Sequence, residues 1–141
     1  MEIRIINLSK GPSINNADKF TDEQKKDVRL EVTPRLRYAK NTDYLGFQLD
    51  IIFTCDDKIL YRTGFLIGMA VKGWKELLDS DIDLLSNREK LIPIAETAWM
   101  VATGVVAEQT ALPGQNPIIL PPIITEDFIQ EITLQSNTPV N

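Results

Sequence analysis

The sequence predicts a single α+β domain in which an antiparallel four-stranded sheet is followed by one long helix and a proline-bracketed apolar segment packed on the sheet. Two observations carry this prediction. Apolar and polar residues alternate with period two through residues 28–72, which is typical of half-buried strands. After residue 73 the apolar residues follow helical spacing instead. A run of strands followed by a helix is typical of the α+β class.

Four segments are predicted to form the sheet. The first is a short apolar stretch over residues 3–8, which a long polar connection joins to the rest. The three long strands are predicted over residues 28–38, 44–55 and 59–72. Pro34 cannot donate to a ladder of hydrogen bonds and therefore indicates an edge position or a bulge. Asp56 and Asp57 are predicted to form a tight hairpin turn.

Two helices are predicted next. Trp74, Leu77 and Leu78 fit a short helical turn, and the main helix ends near Ala111. Its start is open, because Ser86-Asn87-Arg88-Glu89 matches a capping box whereas Pro93, which is acceptable only in a first helical turn, favours a start at Pro93. A stripe rich in small residues follows helical spacing along the main helix: Ala95, Ala98, Trp99, Ala102, Val105, Val106 and Gln109.

The chain after the main helix is predicted to run extended. Prolines bracket the aliphatic run at residues 118–124 and disfavour a helix there, and the run is too apolar to stay in water. Thr125 is the predicted N-cap of a final helix over residues 125–134. We therefore expect one domain over residues 1–134 and a flexible polar C-terminal tail over residues 135–141.

The composition excludes several classes of function. The 141 residues carry a net charge of −5, which argues against nucleic-acid binding. The absence of histidine excludes a Ser-His-Asp triad and a histidine-containing zinc site. The single cysteine, Cys55, is interpreted as a small core residue in a reducing compartment. The acidic spacing Asp79, Asp81, Asp83 lacks the glycine and glutamate of a calcium loop. We expect no catalysis, no metal and no cofactor.

The N-terminus lacks the basic start and long apolar stretch of a signal peptide, and no window reaches the length of a membrane span. We therefore expect a cytoplasmic protein with no membrane span.

The order of the predicted strands, helix and proline-bracketed segment resembles the SecB family of protein-export chaperones, and three local motifs on these elements are similar to it as well. Leu91-Ile92-Pro93-Ile94-Ala95 is similar to the family's Leu-Phe-Pro-Tyr-Ala helix entry, and Pro117-Ile118-Ile119-Leu120-Pro121-Pro122-Ile123 is similar to its Pro-Leu-Leu-Leu-Pro-Pro-Val segment. Gly64-Phe65-Leu66-Ile67 looks like the family's Ala-Gly-Ile-Phe. The resemblance covers roughly residues 3–124.

The resemblance implies a homo-oligomer, a dimer or tetramer, that holds unfolded or partner polypeptides in apolar grooves without ATP. Two family features are not recognisable: the typical C-terminal tail, and the acidic sheet surface that meets the Sec translocation motor. In place of the latter, Arg29, Arg35 and Arg37 put positive charge on one strand. The alternative is a non-enzymatic adaptor or structural subunit with one dedicated partner.

The predicted polypeptide-binding residues are the apolar side chains that one helix and one loop are not expected to cover. The set is Phe47, Ile52, Phe53, Leu60, Leu66, Ile118, Ile119, Leu120, Ile123 and Ile124. Soluble domains rarely expose large apolar patches, so such a surface marks a binding site. The alternative for each residue is a place in the core or in an oligomer interface. Gly64 and Gly68 leave one face of their strand without side chains, which permits a bend or close approach of another backbone.

Overall fold

The computed structural model describes residues 2–80 and 83–136, and in these residues six strands form one mixed sheet. The strands are β1 (Ile3–Lys10), β2 (Ile14–Asn15), β3 (Val28–Tyr38), β4 (Tyr44–Cys55), β5 (Lys58–Val71) and β6 (Thr133–Ser136). Their spatial order is β1-β5-β4-β3-β6, and β2 pairs with β5 beyond the end of β1. All pairs are antiparallel except β3 with β6.

The prediction of a four-stranded antiparallel sheet is wrong in strand number and direction. The short strand β2 is added because the chain turns past Gly11, whose N–H donates to the Gly64 carbonyl oxygen at 2.8 Å, and continues alongside β5. The strand β6 is added because β3 offers an unpaired edge from Arg35 to Tyr38. Ile132 has extended backbone (φ −64°, ψ 119°) and leads the chain into that edge.

The three long strands have nearly the predicted bounds. Pairing of β3 with β6 begins at Arg35, so Val28–Pro34 is a free sheet edge within the described residues, and the edge position predicted from Pro34 is confirmed. Asp56 and Asp57 have φ values of 51° and 61°, as a two-residue hairpin turn of type I′ requires. Their interpretation as turn residues is therefore confirmed.

Three α-helices lie in the described residues: α1 (Trp74–Asp79), α2 (Ile92–Thr110) and α3 (Glu126–Glu131). The helix α2 begins at Ile92 with Pro93 in its first turn, so the later of the two predicted starts is confirmed. The capping box does not form, because the Ser86 hydroxyl donates to Asp83 Oδ2 at 2.8 Å instead of capping a helix. A single 3-10 turn, Arg88–Leu91, leads into α2.

The final helix is shorter than predicted. The N–H of Phe128 donates to Thr125 Oγ1 at 3.3 Å, which confirms Thr125 as the N-cap. The helix ends at Glu131, however, and the predicted extension to residue 134 is wrong because Thr133 and Leu134 pair with β3. Of the predicted tail, Gln135 and Ser136 lie in β6, and residues 137–141 lie outside the described residues.

One face of the sheet, the covered face, packs against α2 and forms the core. Alternate residues of β4 from Leu45 to Cys55 are 0–6% exposed, and so are their counterparts on β5 from Tyr61 to Val71. The helix contributes Ile94, Ala95, Ala98, Trp99, Ala102, Val105 and Val106 to the same core. The phenol of Tyr61 donates to Gln109 Oε1 and links β5 to α2. Cys55 is fully buried, which confirms its interpretation as a core residue.

The opposite face of the sheet, the open face, carries the other set of alternating residues. It comprises the odd-numbered residues of β3 from Arg29 to Arg37, the even-numbered residues of β4 from Tyr44 to Thr54, and the even-numbered residues of β5 from Arg62 to Ala70. Arg4, Asn7 and Ser9 extend it onto β1. Every residue on this face is exposed or half-buried.

Candidate functional site

The ten predicted polypeptide-binding residues divide by exposure within this single chain. Four are buried: Phe47, Phe53, Leu60 and Leu120. Five are half-buried: Ile52, Leu66, Ile118, Ile123 and Ile124. Ile119 is 66% exposed. The accessible part of the predicted set therefore lies in two places, the segment 118–124 and the open face.

The burial of Leu60 has a local cause. Phe53 pairs with Tyr61 and Thr54 pairs with Ile59, so Leu60 is an extra residue in the ladder between β4 and β5. Such a β-bulge interrupts the alternation of side chains. Leu60 consequently joins the core, although strict period two would have placed it beside Leu66 on the open face. Phe47, Phe53 and Leu120 also belong to the core, so the part of the predicted set that a polypeptide reaches directly is the half-buried and exposed part.

The segment 118–124 runs back along α2. The N–H of Ile118 donates to Thr110 Oγ1 at 2.7 Å, near the end of the helix. The indole N–H of Trp99 donates to the Pro121 carbonyl oxygen at 2.9 Å, in the middle of the helix. Ile124 lies near the helix start, where it lines a small depression with Ile92. These three positions fix the segment antiparallel to α2.

The depression at the start of α2 has a volume of about 260 Å³. Its apolar lining consists of Ile92, Ile124 and Ile129, and its polar lining includes Glu89 and Glu126. Three of its seven lining residues are apolar and four are polar. Its volume lies below the range of about 300–1,000 Å³ that is typical of sites for drug-sized ligands.

The outward side of α2 carries apolar and charged residues in turn. Its exposed residues follow a four-residue spacing: Ile92, Glu96, Met100, Gly104 and Glu108. Two of these five are charged, and Met100 is 75% exposed. A surface helix normally carries charged and polar residues on its solvent side. Met100 departs from this rule, which makes it a candidate contact residue.

These observations define one candidate site, which we call the α2 ledge. It consists of Ile92, Met100, Ile118, Ile119, Ile123 and Ile124. Four of its members were predicted from the sequence, and Ile92 and Met100 were missed. The sequence pattern does place Met100 on the outward side of the helix. Met100 lies outside the small-residue stripe that begins at Ala95, and it lies on the same side of the helix as Glu96. Methionine adapts its shape to many partners, which suits a permissive binding surface.

The helical stretch Arg88–Thr110 is also long and apolar enough to cross a membrane, by length and composition alone. The core helix of a soluble domain has the same properties. Here one side of the helix is buried against the sheet, at Ile94, Ala98 and Ala102. Its apolar character thus serves the core on one side and the α2 ledge on the other.

Arg88 stabilises the chain next to the ledge, just before the start of α2. Its Nη1 donates to the carbonyl oxygens of Ile129, at 3.1 Å, and Ile132, at 2.7 Å. The Ile129 carbonyl lies in the last turn of α3 and also accepts the N–H of Ile132 at 3.4 Å, whereas the Ile132 carbonyl lies just past the helix. The guanidinium therefore joins the entry of α2 to the chain that leads into β6. The sequence contained no signal for this contact, because the residues are more than forty positions apart.

Two reactive side chains, Cys55 and Tyr61, lie in the core. No group of three or more histidine, cysteine, aspartate or glutamate side chains within residues 2–80 and 83–136 is placed to hold a metal ion. Burial raises the pKa of the Cys55 thiol, and the neighbouring Asp56 carboxylate acts in the same direction. Burial also raises the pKa of the Tyr61 phenol. A raised pKa keeps each group protonated at neutral pH, so neither is an activated nucleophile.

Comparison with known proteins does not identify a family for this chain. No protein-family model matches the chain, and no curated protein matches it. Among solved structures, the chain is similar to a SecB-like chaperone of Mycobacterium tuberculosis in complex with a ChAD peptide from the HigA1 antitoxin. The two are 7% identical, the match covers 87% of this chain and 85% of that chain, and the TM-score is 0.45. A likeness at this level does not assign a function.

Proposed function

We propose that this chain is a non-enzymatic polypeptide-binding protein, an ATP-independent holdase of the kind found in the SecB family. The observation that carries the proposal is the outward exposure of apolar side chains along α2. Met100 is 75% exposed and Ile119 is 66% exposed, and both belong to the α2 ledge. Apolar surface of this kind marks a site of protein interaction.

The architecture supplies the physical means of binding. The ledge combines a methionine with β-branched isoleucines, whose contacts with an unfolded chain are apolar and independent of its sequence. Rigid elements support it, because Trp99 and Thr110 hold the segment 118–124 against the helix. A preformed surface costs less conformational entropy on binding than one that must first become ordered.

The motifs that resemble the SecB family lie on elements consistent with this role. Pro93 of the helix-entry motif is in the first turn of α2, and the Pro117–Ile123 motif lies along the same helix. The proposal includes a homo-oligomer, in which a second copy covers part of the apolar surface, and a cytoplasmic location.

The test is suppression of light scattering when a chemically unfolded, unrelated protein is diluted into buffer with a stoichiometric amount of this chain. We expect suppression without ATP. The double variant Met100→Glu/Ile119→Glu should lose most of the suppression, because covering ionised carboxylates on the ledge with an apolar segment costs desolvation free energy. Leu85→Glu is the matched control, because Leu85 is 65% exposed but lies outside the ledge.

Two outcomes would contradict the holdase proposal. If the folded wild-type protein leaves scattering unchanged, the chain is not a general holdase, and the adaptor with one dedicated partner takes its place. If Leu85→Glu reduces suppression as much as the ledge variant does, the binding surface lies elsewhere.

A further inference from the structure

The open face of the sheet has a charge opposite to that of the whole chain. Five arginines lie on it against two carboxylates: Arg4, Arg29, Arg35, Arg37 and Arg62 against Glu31 and Asp50. The chain itself carries a net charge of −5. Five of the six arginines of an acidic protein thus lie on one surface. Such segregation produces a local potential that attracts ligands of the opposite sign.

The charges of these arginines are not neutralised within the domain. In residues 2–80 and 83–136 the ion pairs join Lys10 to Glu108, Lys26 to Glu23 and Lys72 to Glu2, and none involves an arginine of the open face. Arg37 is the most constrained of the five. Its Nε is buried and has no hydrogen-bond partner among the described residues. A buried Nε cannot reach an external carboxylate, so Arg37 would pair with one through its two Nη groups.

Arg37 lies between two shallow depressions on the open face. They have volumes of about 600 and 640 Å³, and both are lined by Arg37 and Leu66. The first extends past Asp50 and Arg62 toward Pro12, and the second extends past Gly46 and Gly68 toward Ile6. Together they form one trough that crosses the sheet beneath Arg37.

The row of residues beside Arg37 explains the trough. Arg37 pairs with Gly46, Gly46 with Gly68, and Gly68 with Asn7, so two glycines lie in the middle of the row. The neighbouring Leu66 Cδ1 lies 3.1 Å from where a Cβ on Gly46 would be. The glycines therefore let neighbouring side chains lie flat, which keeps the centre of the face low. The role of Gly68 is therefore to keep this part of the face low. The sequence pattern had left two other roles open for Gly68, a bend or close approach of another backbone.

The spacing of the arginines indicates the shape of the ligand. Arg35 and Arg37 project from one strand two residues apart, a separation of about 6.8 Å. An extended peptide places alternate side chains at the same repeat. A peptide that runs along β3, over the end of the trough at Arg37, therefore places alternate carboxylates at Arg35 and Arg37. Arg35 lines neither depression, and Leu66 and the exposed Tyr44 lie in the trough beside Arg37 for apolar contact.

We propose that the open face binds an extended acidic segment of a partner protein, whose alternate carboxylates pair with Arg35 and Arg37. The proposal rests on the polypeptide-binding function above and names a second surface and its ligand chemistry. A nucleic acid fits less well, since Glu31 and Asp50 lie among the arginines and a long polyanion would meet the acidic remainder of the chain. A short acidic segment contacts the arginines alone.

The test is fluorescence anisotropy with a labelled five-residue peptide that alternates glutamate and threonine, and with a control peptide that alternates glutamine and threonine; at about 14 Å between its end residues, it is too short to contact Arg35 and Arg29 together. We expect the glutamate peptide to bind more tightly, with an affinity that falls as salt is raised. The double variant Arg35→Gln/Arg37→Gln should weaken binding about tenfold or more, since charge-assisted pairs are lost. Arg29→Gln, on the same strand and face, is the matched control and should change binding by less than about twofold.

Several results would overturn the proposal. One is equal binding of the glutamate and glutamine peptides, and another is equal loss in Arg29→Gln and in the double variant. Tighter binding of a single-stranded oligouridine through Arg35 and Arg37 would assign the face to nucleic acid. Sedimentation that shows an oligomer dissociated by Arg35→Gln/Arg37→Gln would assign it to a second copy of the chain.

The same variants separate this proposal from the holdase proposal. Met100→Glu/Ile119→Glu should lose suppression of aggregation and keep binding of the glutamate peptide. Arg35→Gln/Arg37→Gln should do the reverse. If the ledge variant leaves suppression intact while the arginine variant loses peptide binding, the holdase site fails and the acidic-segment site stands.

Discussion

The two faces of the sheet differ in chemistry although their residues alternate along the same strands. On the covered face, the residues of β4 and β5 are almost completely buried and α2 extends the apolar surface outward to the ledge. On the open face, the intervening positions are occupied by arginines, glycines and polar residues, with Tyr44, Ile52 and Leu66 among them. The difference shows that a period-two pattern specifies both a core and an exposed surface. The character of the exposed surface depends on which polar residues alternate with the apolar ones.

The largest expected difference between the faces is in stability. Phe47→Ala should lower the free energy of unfolding by about 3–5 kcal/mol, because it empties a fully packed position of the core. Gln48→Ala, the next residue on the opposite face, should change it by less than about 0.5 kcal/mol. Urea unfolding followed by circular dichroism measures both. Similar losses in the two variants would contradict the assignment of the faces.

A smaller effect is expected at Arg88. Arg88→Ala should cost about 1.5–3 kcal/mol, since two backbone carbonyls lose a charged donor. Arg35→Ala on the open face should cost much less, because Arg35 has no ion pair in the described part of the chain. Hydrogen exchange should show faster opening of β6 in Arg88→Ala. Unchanged exchange at Thr133–Ser136 would show that Arg88 does not hold this strand in place.

The covered face should also determine how stability depends on alkaline pH. The pKa of Tyr61 is raised in the folded chain by burial, so the unfolded state loses its proton first. The stabilising contribution is complete below the ordinary tyrosine pKa of about 10 and is lost as pH rises toward the folded pKa. Unfolding free energies of wild type and Tyr61→Phe, measured between pH 8 and about 11, should show a shallower decline in the variant. Parallel curves would contradict this assignment.

The smallest effect is expected from Gly68→Ala on the open face. The new methyl group would occupy the position now filled by the end of the Asn7 side chain, which is flexible and can move. The free energy of unfolding should change by less than about 1 kcal/mol. Any cost should disappear when Asn7→Ala is added. A large loss that persists in the double variant would show that the backbone at Gly68 needs glycine for another reason.

The sequence predicted the long strands and helices well because their signals are local. Alternation placed β3, β4 and β5, Pro93 placed the start of α2, and Thr125 placed the start of α3. These features depend on the side chains of one element or on its hydrogen bonds to adjacent residues. The small edge strands β2 and β6 were missed because they form only where another strand leaves an edge unpaired. Such pairing joins residues far apart in the sequence.

The candidate site was predicted in part for a similar reason. Ile118, Ile119, Ile123 and Ile124 were recognised because prolines force this apolar run onto an extended path that a central strand or a helix cannot follow. Phe47 and Phe53 were included because alternation does not state which face a helix covers. Met100 was missed because the exposed side of α2 is known only when the residues that pack against the sheet are known. The trough beneath Arg37 depends on cross-strand register, which sequence alone does not specify.

The most direct test of the central claim is photo-crosslinking from the α2 ledge to an unfolded polypeptide. A photoreactive amino acid would replace Met100 in one variant and Leu85 in another, since both side chains are well exposed. Each folded variant would be irradiated with a labelled, chemically unfolded protein in the absence of ATP. The account predicts strong crosslinks from position 100 and few from position 85. Equal crosslinking from the two positions, or none from position 100, would contradict the claim that α2 carries the polypeptide-binding surface.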